Sequence, residues 1–239
     1  MSGHSKWATI KRKKGLIDQE RSKIFQKLQK EIYVAAKGGD ANPENNPTLR
    51  MVVDKAKASN MPKDIIQRAI DKASASANGE DYTFLRYEGY AIGGVAIMVD
   101  ALTDNKNRTA SDVRSLFTRR GGNLGSDGSV SYLFERKGII VVPNTYLEDK
   151  VMELAINNDA LDFIVNDDSY EIYTTFENFI KTNNALEEDG ITDIIMNEVR
   201  FIPSNTIAVD DDKKEKIYAL IESLEDLEDV QDVYHNMEE

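Results

Sequence analysis

Gly138-Ile139-Ile140-Val141-Val142-Pro143 opens the stretch whose reading decides the fold. From here hydrophobic periodicity predicts a strand over 139–142, a helix over 147–157, strands over 161–165 and 170–174, a helix over 176–186 and a strand over 194–202. That βαββαβ order is the split arrangement of a ferredoxin-like sandwich. Thr174 and Glu177 carry the spacing of a capping box for its second helix.

On either side lie elements that do not complete a core alone. After residue 210 come a helix with Ile217, Leu220, Ile221 and Leu224 in register and a strand from Val230 to His235. Before residue 138, strands are predicted over 83–88 and 95–101, joined by Gly93-Gly94. A helix follows, with Thr109 and Asp112 spaced as a capping box, Val113, Leu116 and Phe117 as its buried face, and Gly121 as its stop. A further strand is expected over 129–135, where Val130, Tyr132 and Phe134 alternate. A ββαβ block lacks the αβ unit that the tail supplies, so the tail is expected to return to it. Residues 138–204 then form an insertion, and 80–137 plus 205–239 form one discontinuous α/β domain.

The first 79 residues read as three helices. Ile24, Phe25, Leu28, Ile32, Ala35 and Ala36 share one face of a helix from Asp18, taken as its N-cap, to a left-handed stop at Gly38-Gly39. Lys23, Lys27, Lys30 and Lys37 cluster on the opposite face. Asn46-Pro47 starts a second helix, Asn60-Met61-Pro62 breaks it, and a third runs from Pro62 to about residue 73, with 74–79 as a linker. The fold class expected is therefore α+β and multidomain: an N-terminal three-helix bundle over 1–79, then two α/β-sandwich domains, the last inserted in the second.

Charge is distributed as unevenly as structure. The 239 residues carry a net −12, yet residues 1–39 hold ten Lys/Arg against three Asp/Glu, and residues 138–239 hold six against twenty-six. A cationic end kept on an acidic chain points to an anionic partner, with nucleic-acid phosphate the obvious one. Lys6, Trp7, Lys11, Arg12, Lys13 and Lys14 form a basic arm, continued by Arg21, Lys23, Lys27 and Lys30 on the first helix. In such an arm cations meet phosphates, and Trp7 either stacks on a base or packs against the helices. The helix lysines have the alternative of a plain solvated face.

Other chemistries find little support. There is no cysteine, and the two imidazoles, His4 and His235, stand near opposite ends with no nucleophile or carboxylate partner in view. The clusters Glu187-Glu188-Asp189, Asp210-Asp211-Asp212 and Glu225-Asp226 lack the oxygen spacing of a calcium loop and read as helix caps and solvated surface. Gly121-Gly122-Asn123-Leu124-Gly125 follows a helix instead of leading into one, which favours a C-cap and tight turn over a phosphate loop. No apolar run is long enough to span a bilayer, and the basic N-terminus lacks the apolar stretch of a secretory signal. A cytoplasmic protein is expected, with no enzyme activity, no cofactor, no metal, no membrane and no small-molecule substrate.

Seven segments together resemble the YebC family, whose mitochondrial members include the translational activator of cytochrome c oxidase. They are Gly3-His4-Ser5-Lys6-Trp7-Ala8, Lys23-Ile24-Phe25-Gln26-Lys27-Leu28, Asn46-Pro47-Thr48-Leu49-Arg50, Asn60-Met61-Pro62-Lys63-Asp64, Arg86-Tyr87-Glu88-Gly89-Tyr90, Ala101-Leu102-Thr103-Asp104-Asn105 and Gly121-Gly122-Asn123-Leu124-Gly125. One local departure is Ala91-Ile92, where the family usually has Gly-Pro. The resemblance implies three domains and a nucleic-acid-binding regulator of gene expression without catalytic residues. It implies a DNA-binding transcriptional regulator, with an RNA- or ribosome-binding translation factor acting at proline-rich stalls as the alternative. Partners expected are DNA or ribosomal RNA, and a ribosome or protein partner for the acidic domains.

Overall fold

The structure, a computed structural model, describes residues 17–75 and 82–238. By contact these fall into two compact units, residues 20–133 with 203–238, and residues 134–202.

The first unit begins with three helices, α1 (Ile17–Lys37), α2 (Pro47–Ala58) and α3 (Lys63–Ala75). Leu28, Ile32, Tyr33, Leu49, Val53, Met61, Ile66 and Ile70 close around one another as their shared core. α1 starts at Ile17, which puts Asp18 inside its first turn and not at the cap. Neither Gly38 nor Gly39 is left-handed, contrary to the expected stop. Gly39 is needed for space: a Cβ there would lie 2.8 Å from Nδ2 of Asn46. That amide donates to the carbonyls of Ala35 (2.9 Å) and Asp40 (2.8 Å), taking the place of a Gly cap, while its Oδ1 accepts from the Leu49 N–H and starts α2.

The unit continues with β1 (Thr83–Tyr90), β2 (Ala96–Thr103), α4 (Lys106–Arg119) and the two-residue β3 (Asn123–Leu124). After residue 203 it is completed by the helix Asp211–Glu225 and the strand Val230–His235, labelled below in chain order. That last strand pairs antiparallel with β2, Val99 opposite Val233, so the tail does return to the middle of the chain. The sheet order is β3, β1, β2 and the C-terminal strand. Val113 and Phe117 of α4 and Ile217, Leu220, Ile221 and Leu224 of the C-terminal helix pack with Ile97, Val99 and Ala101 of β2.

α4 starts three residues ahead of the expected capping box. Its N-cap is Asn105, whose side chain accepts from the Arg108 N–H at 3.1 Å. Thr109 is instead buried inside the helix, its hydroxyl directed at other side chains.

The second unit holds β4 (Phe134–Pro143), α5 (Glu148–Asn157), β5 (Asp162–Val165), β6 (Ser169–Thr175), α6 (Phe179–Glu188) and β7 (Met196–Pro203), whose last residue belongs to the first unit. Its sheet order is β5-β6-β4-β7, so the elements follow the βαββαβ succession read from the sequence. The C-terminal helix and strand of the first unit are accordingly α7 (Asp211–Glu225) and β8 (Val230–His235). α6 starts at Phe179 behind Asn178, and Thr174 lies in β6, so the Thr174–Glu177 pair is not its capping box.

Residues 129–135 do not form the separate strand expected. Residues 131–133 make a single 3-10 turn, and β4 runs unbroken from Phe134 through Gly138. The cause is Glu88 on β1. Its carboxylate accepts the N–H groups of Gly128 (3.0 Å), Val130 (2.7 Å) and Ser131 (2.7 Å), which a strand would have needed for its own ladder. Burial pushes the Glu88 carboxyl up, but these three donors outweigh it and hold the group below its ordinary value.

Candidate nucleic-acid interface

Lys6, Trp7, Lys11, Arg12, Lys13 and Lys14 lie outside the described residues. Arg21, Lys23, Lys27 and Lys30 are described and stand on α1, the last three spaced four and three residues apart, hence on one face of the helix. That face meets the turn between α7 and β8. Lys23 Nζ lies 2.8 Å from the Asp226 carboxylate, and Lys27 Nζ donates to the Glu225 carbonyl at 2.7 Å. Lys30 Nζ reaches Glu228 Oε1 at 3.1 Å and Asp229 Oδ1 at 3.3 Å. Cations are favoured there twice over, by the carboxylates and by the open carbonyl end of α7. The charged face expected on α1 is present, and its lysines hold an acidic turn of the same unit.

Asp229 is the centre of that contact, only 6% exposed. Its Oδ2 accepts from Arg108 Nη2 at 2.6 Å and lies 2.9 Å from the Thr109 hydroxyl and 3.2 Å from that of Thr103. Lys30 holds the other oxygen. One carboxylate thus ties α1, β2, α4 and the α7–β8 turn together. Burial pushes the Asp229 carboxyl up, and Arg108, Thr109 and Lys30 outweigh it and hold it below the usual carboxylate range. Arg108 is raised in turn by Asp229 and by Asp104, 2.9 Å away.

Residues 5–76 match the family described as "TACO1/YebC protein N-terminal domain", and residues 82–237 match "TACO1/YebC second and third domain". The chain belongs to the TACO1/YebC family. A "Probable transcriptional regulatory protein" of Geobacillus thermodenitrificans is 50% identical over 242 residues, covering 100% of this chain and 98% of that protein. One of the same name from Lactobacillus helveticus is 52% identical over 237 residues, covering 98% and 97%. Among solved structures, "a Conserved Hypothetical Protein Aq1575 from Aquifex Aeolicus" is 44% identical, with a TM-score of 0.82 over 93% of this chain and 92% of that one.

In this YebC-family chain most of the segments that carry the resemblance hold the scaffold. Asn60 takes the left-handed conformation (φ 57°) that ends α2, and the Met61 N–H closes on the Ala56 carbonyl at 3.0 Å. Arg86 grips Asp100 through two bonds, at 2.7 and 2.9 Å, across β1 and β2. Gly89 admits β3: a Cβ would lie 2.5 Å from the Asn123 carbonyl and 2.8 Å from the Phe117 ring. The Tyr90 hydroxyl donates to the Ser129 carbonyl at 3.0 Å. Gly121 is left-handed (φ 75°) behind α4, so the Gly-rich segment is a helix stop leading into a strand.

The cations without such a role are elsewhere. On α4, Lys106, Arg114 and Arg119 are exposed and make no ion pair among the described residues. The guanidinium of Arg120, just after the helix, donates to the Ser223 hydroxyl at 3.3 Å. Sequence reading passed over them because residues 80–137 balance to zero charge, although 106–120 alone hold five Lys/Arg against Asp112. Among the described residues no group of three or more His, Asp or Glu side chains could hold a metal ion. No described helix is long and apolar enough to cross a membrane.

Proposed function

We propose that this YebC-family chain is a non-enzymatic, cytoplasmic nucleic-acid-binding regulator of gene expression, and specifically a DNA-binding transcriptional regulator. The observation that carries the reading is the segregation of charge, net +7 over residues 1–39 against net −20 over residues 138–239. The names of the full-length relatives at about half identity point the same way. Lys6, Lys11, Arg12, Lys13, Lys14 and Arg21 are the phosphate contacts, and Trp7 stacks on a base or sugar. Lys23, Lys27 and Lys30 act one step removed, fixing α1 against the α7–β8 turn. The reading divides the chain into a basic helical domain, a discontinuous α/β domain and an inserted acidic domain.

Replacing Lys11, Arg12, Lys13 and Lys14 with Ala tests it. The logarithm of DNA affinity falls with the logarithm of salt by about 0.9 per phosphate contact, so the variant's slope should flatten by up to about 3.6. An unchanged slope removes the arm from the interface. Sedimentation from cell extract tests the polymer: association lost on DNase treatment supports the DNA reading, and co-sedimentation with ribosomes that survives DNase overturns it.

A further inference from the structure

Net charge over the described helices is highest on α4, four Lys/Arg against one Asp, compared with five against three on α1. What distinguishes α4 is less the count than the use. The α1 lysines at 23, 27 and 30 lie on protein oxygens, and Arg108 is taken up by Asp229 and Asp104. Arg114 and Arg119 have no carboxylate among the described residues; Arg119 Nε reaches only the Ser115 carbonyl one turn back, at 3.3 Å. An exposed guanidinium without a carboxylate partner keeps most of its five donors for an external anion.

Around the helix, the sector that these two arginines border carries short polar side chains apart from Arg108. Val113 and Phe117 point into the core, and at about 100° per residue the side opposite them carries Asn107, Ser111, Ser115 and Thr118. Short hydroxyl and amide side chains with arginine are the set that meets phosphate and sugar oxygens. Asp112 falls beyond Arg119, at the margin of this sector. No aromatic or large aliphatic side chain stands on the flank, and a protein partner would need one to fill a pocket. Arg114 and Arg119 stand five positions apart, about 7.5 Å along the axis and about 140° around it, so they border this polar sector on either side.

We propose that this flank of α4, with Arg114 and Arg119 as its charged contacts, is a second site for the sugar–phosphate backbone of duplex DNA, separate from the N-terminal arm. The inference rests on the nucleic-acid reading above and adds a second place of contact to it. Contacts of this composition fix orientation and carry no base specificity.

Fluorescence anisotropy with a labelled mixed-sequence duplex, titrated between about 50 and 200 mM salt, decides it. The double variant Arg114→Ala/Arg119→Ala should lose about 1.8 from the salt slope, two contacts at about 0.9 each, and melt at the wild-type temperature. Arg114→Lys/Arg119→Lys, which keeps the charge, should retain the slope. Wild-type binding with an unchanged slope in the double Ala variant overturns the α4 site and leaves the arm's role standing. No wild-type binding to any nucleic acid overturns both readings. A slope change seen with RNA of the same sequence and absent with the duplex overturns DNA as the occupant.

Discussion

Asp229 gathers two cations and two hydroxyls onto one buried carboxylate, and its replacement is the sharpest single-residue test of the scaffold. Asp229→Asn keeps the shape and removes the charge, leaving Arg108 and Lys30 poorly matched. A loss of about 2 kcal/mol is expected in denaturant unfolding near neutral pH. The pH dependence has a definite sign. Folding holds both Asp229 and Glu88 below their ordinary values, so their contribution is complete above about pH 5 and fades as acid protonates them through the lowered values. Asp229→Asn should therefore lose less stability than wild type between pH 7 and pH 3. Nothing local in the sequence marked either group, because each acts across long separations: Glu88 on residues forty and more positions away, Asp229 on Thr103 and Arg108. What was legible were neighbours at fixed spacing. Asn46 ahead of Pro47 and Asp210 ahead of α7 cap their helices through their own side chains, as short-range chemistry dictates.

Among the elements, α1 shows how far periodicity reads. The buried face of Leu28, Ile32, Ala35 and Ala36 follows from spacing, and so does the lysine face opposite. Spacing is silent about what a charged face meets, and here it meets the acidic turn after α7. Lys23→Ala/Lys27→Ala should cost less than about 1 kcal/mol, since the Lys23–Asp226 pair is largely exposed. Amide exchange should nevertheless rise in α1 and over residues 225–229, measured by mass spectrometry, and the salt slope of DNA binding should stay at the wild-type value. Capping-box spacing misplaced two helix starts for a related reason. Thr109 and Thr174 are buried between elements, and the caps fell to Asn105 and Asn178 upstream and downstream of them. The strand expected over 129–135 failed because Glu88 claimed its N–H groups, a cross-chain competition that alternation of Val130, Tyr132 and Phe134 does not reveal.

At the scale of the molecule, topology was legible where a block could not close its own core. The middle segment needed an αβ unit, and α7 with β8 supplies it by pairing with β2 and covering its apolar face. The cationic patch on α4 stayed hidden because a block average cancels it against neighbouring acids. One contact at the junction of the two units has a mechanical meaning. The Ser204 N–H donates to the Leu133 carbonyl at 2.8 Å, so the chain leaves the first unit and re-enters it at adjacent points. Tension between handles at residues 21 and 238 would run through the first unit and bypass residues 134–202 while that junction stays shut. In an optical trap the β2–β8 pairing should give way first. The longer release from residues 134–202 should follow as a separate rip, and the reverse order would mean that the junction carries no load. Residues 134–202, a span rich in acidic side chains, would then feel the load only after that one bond parts.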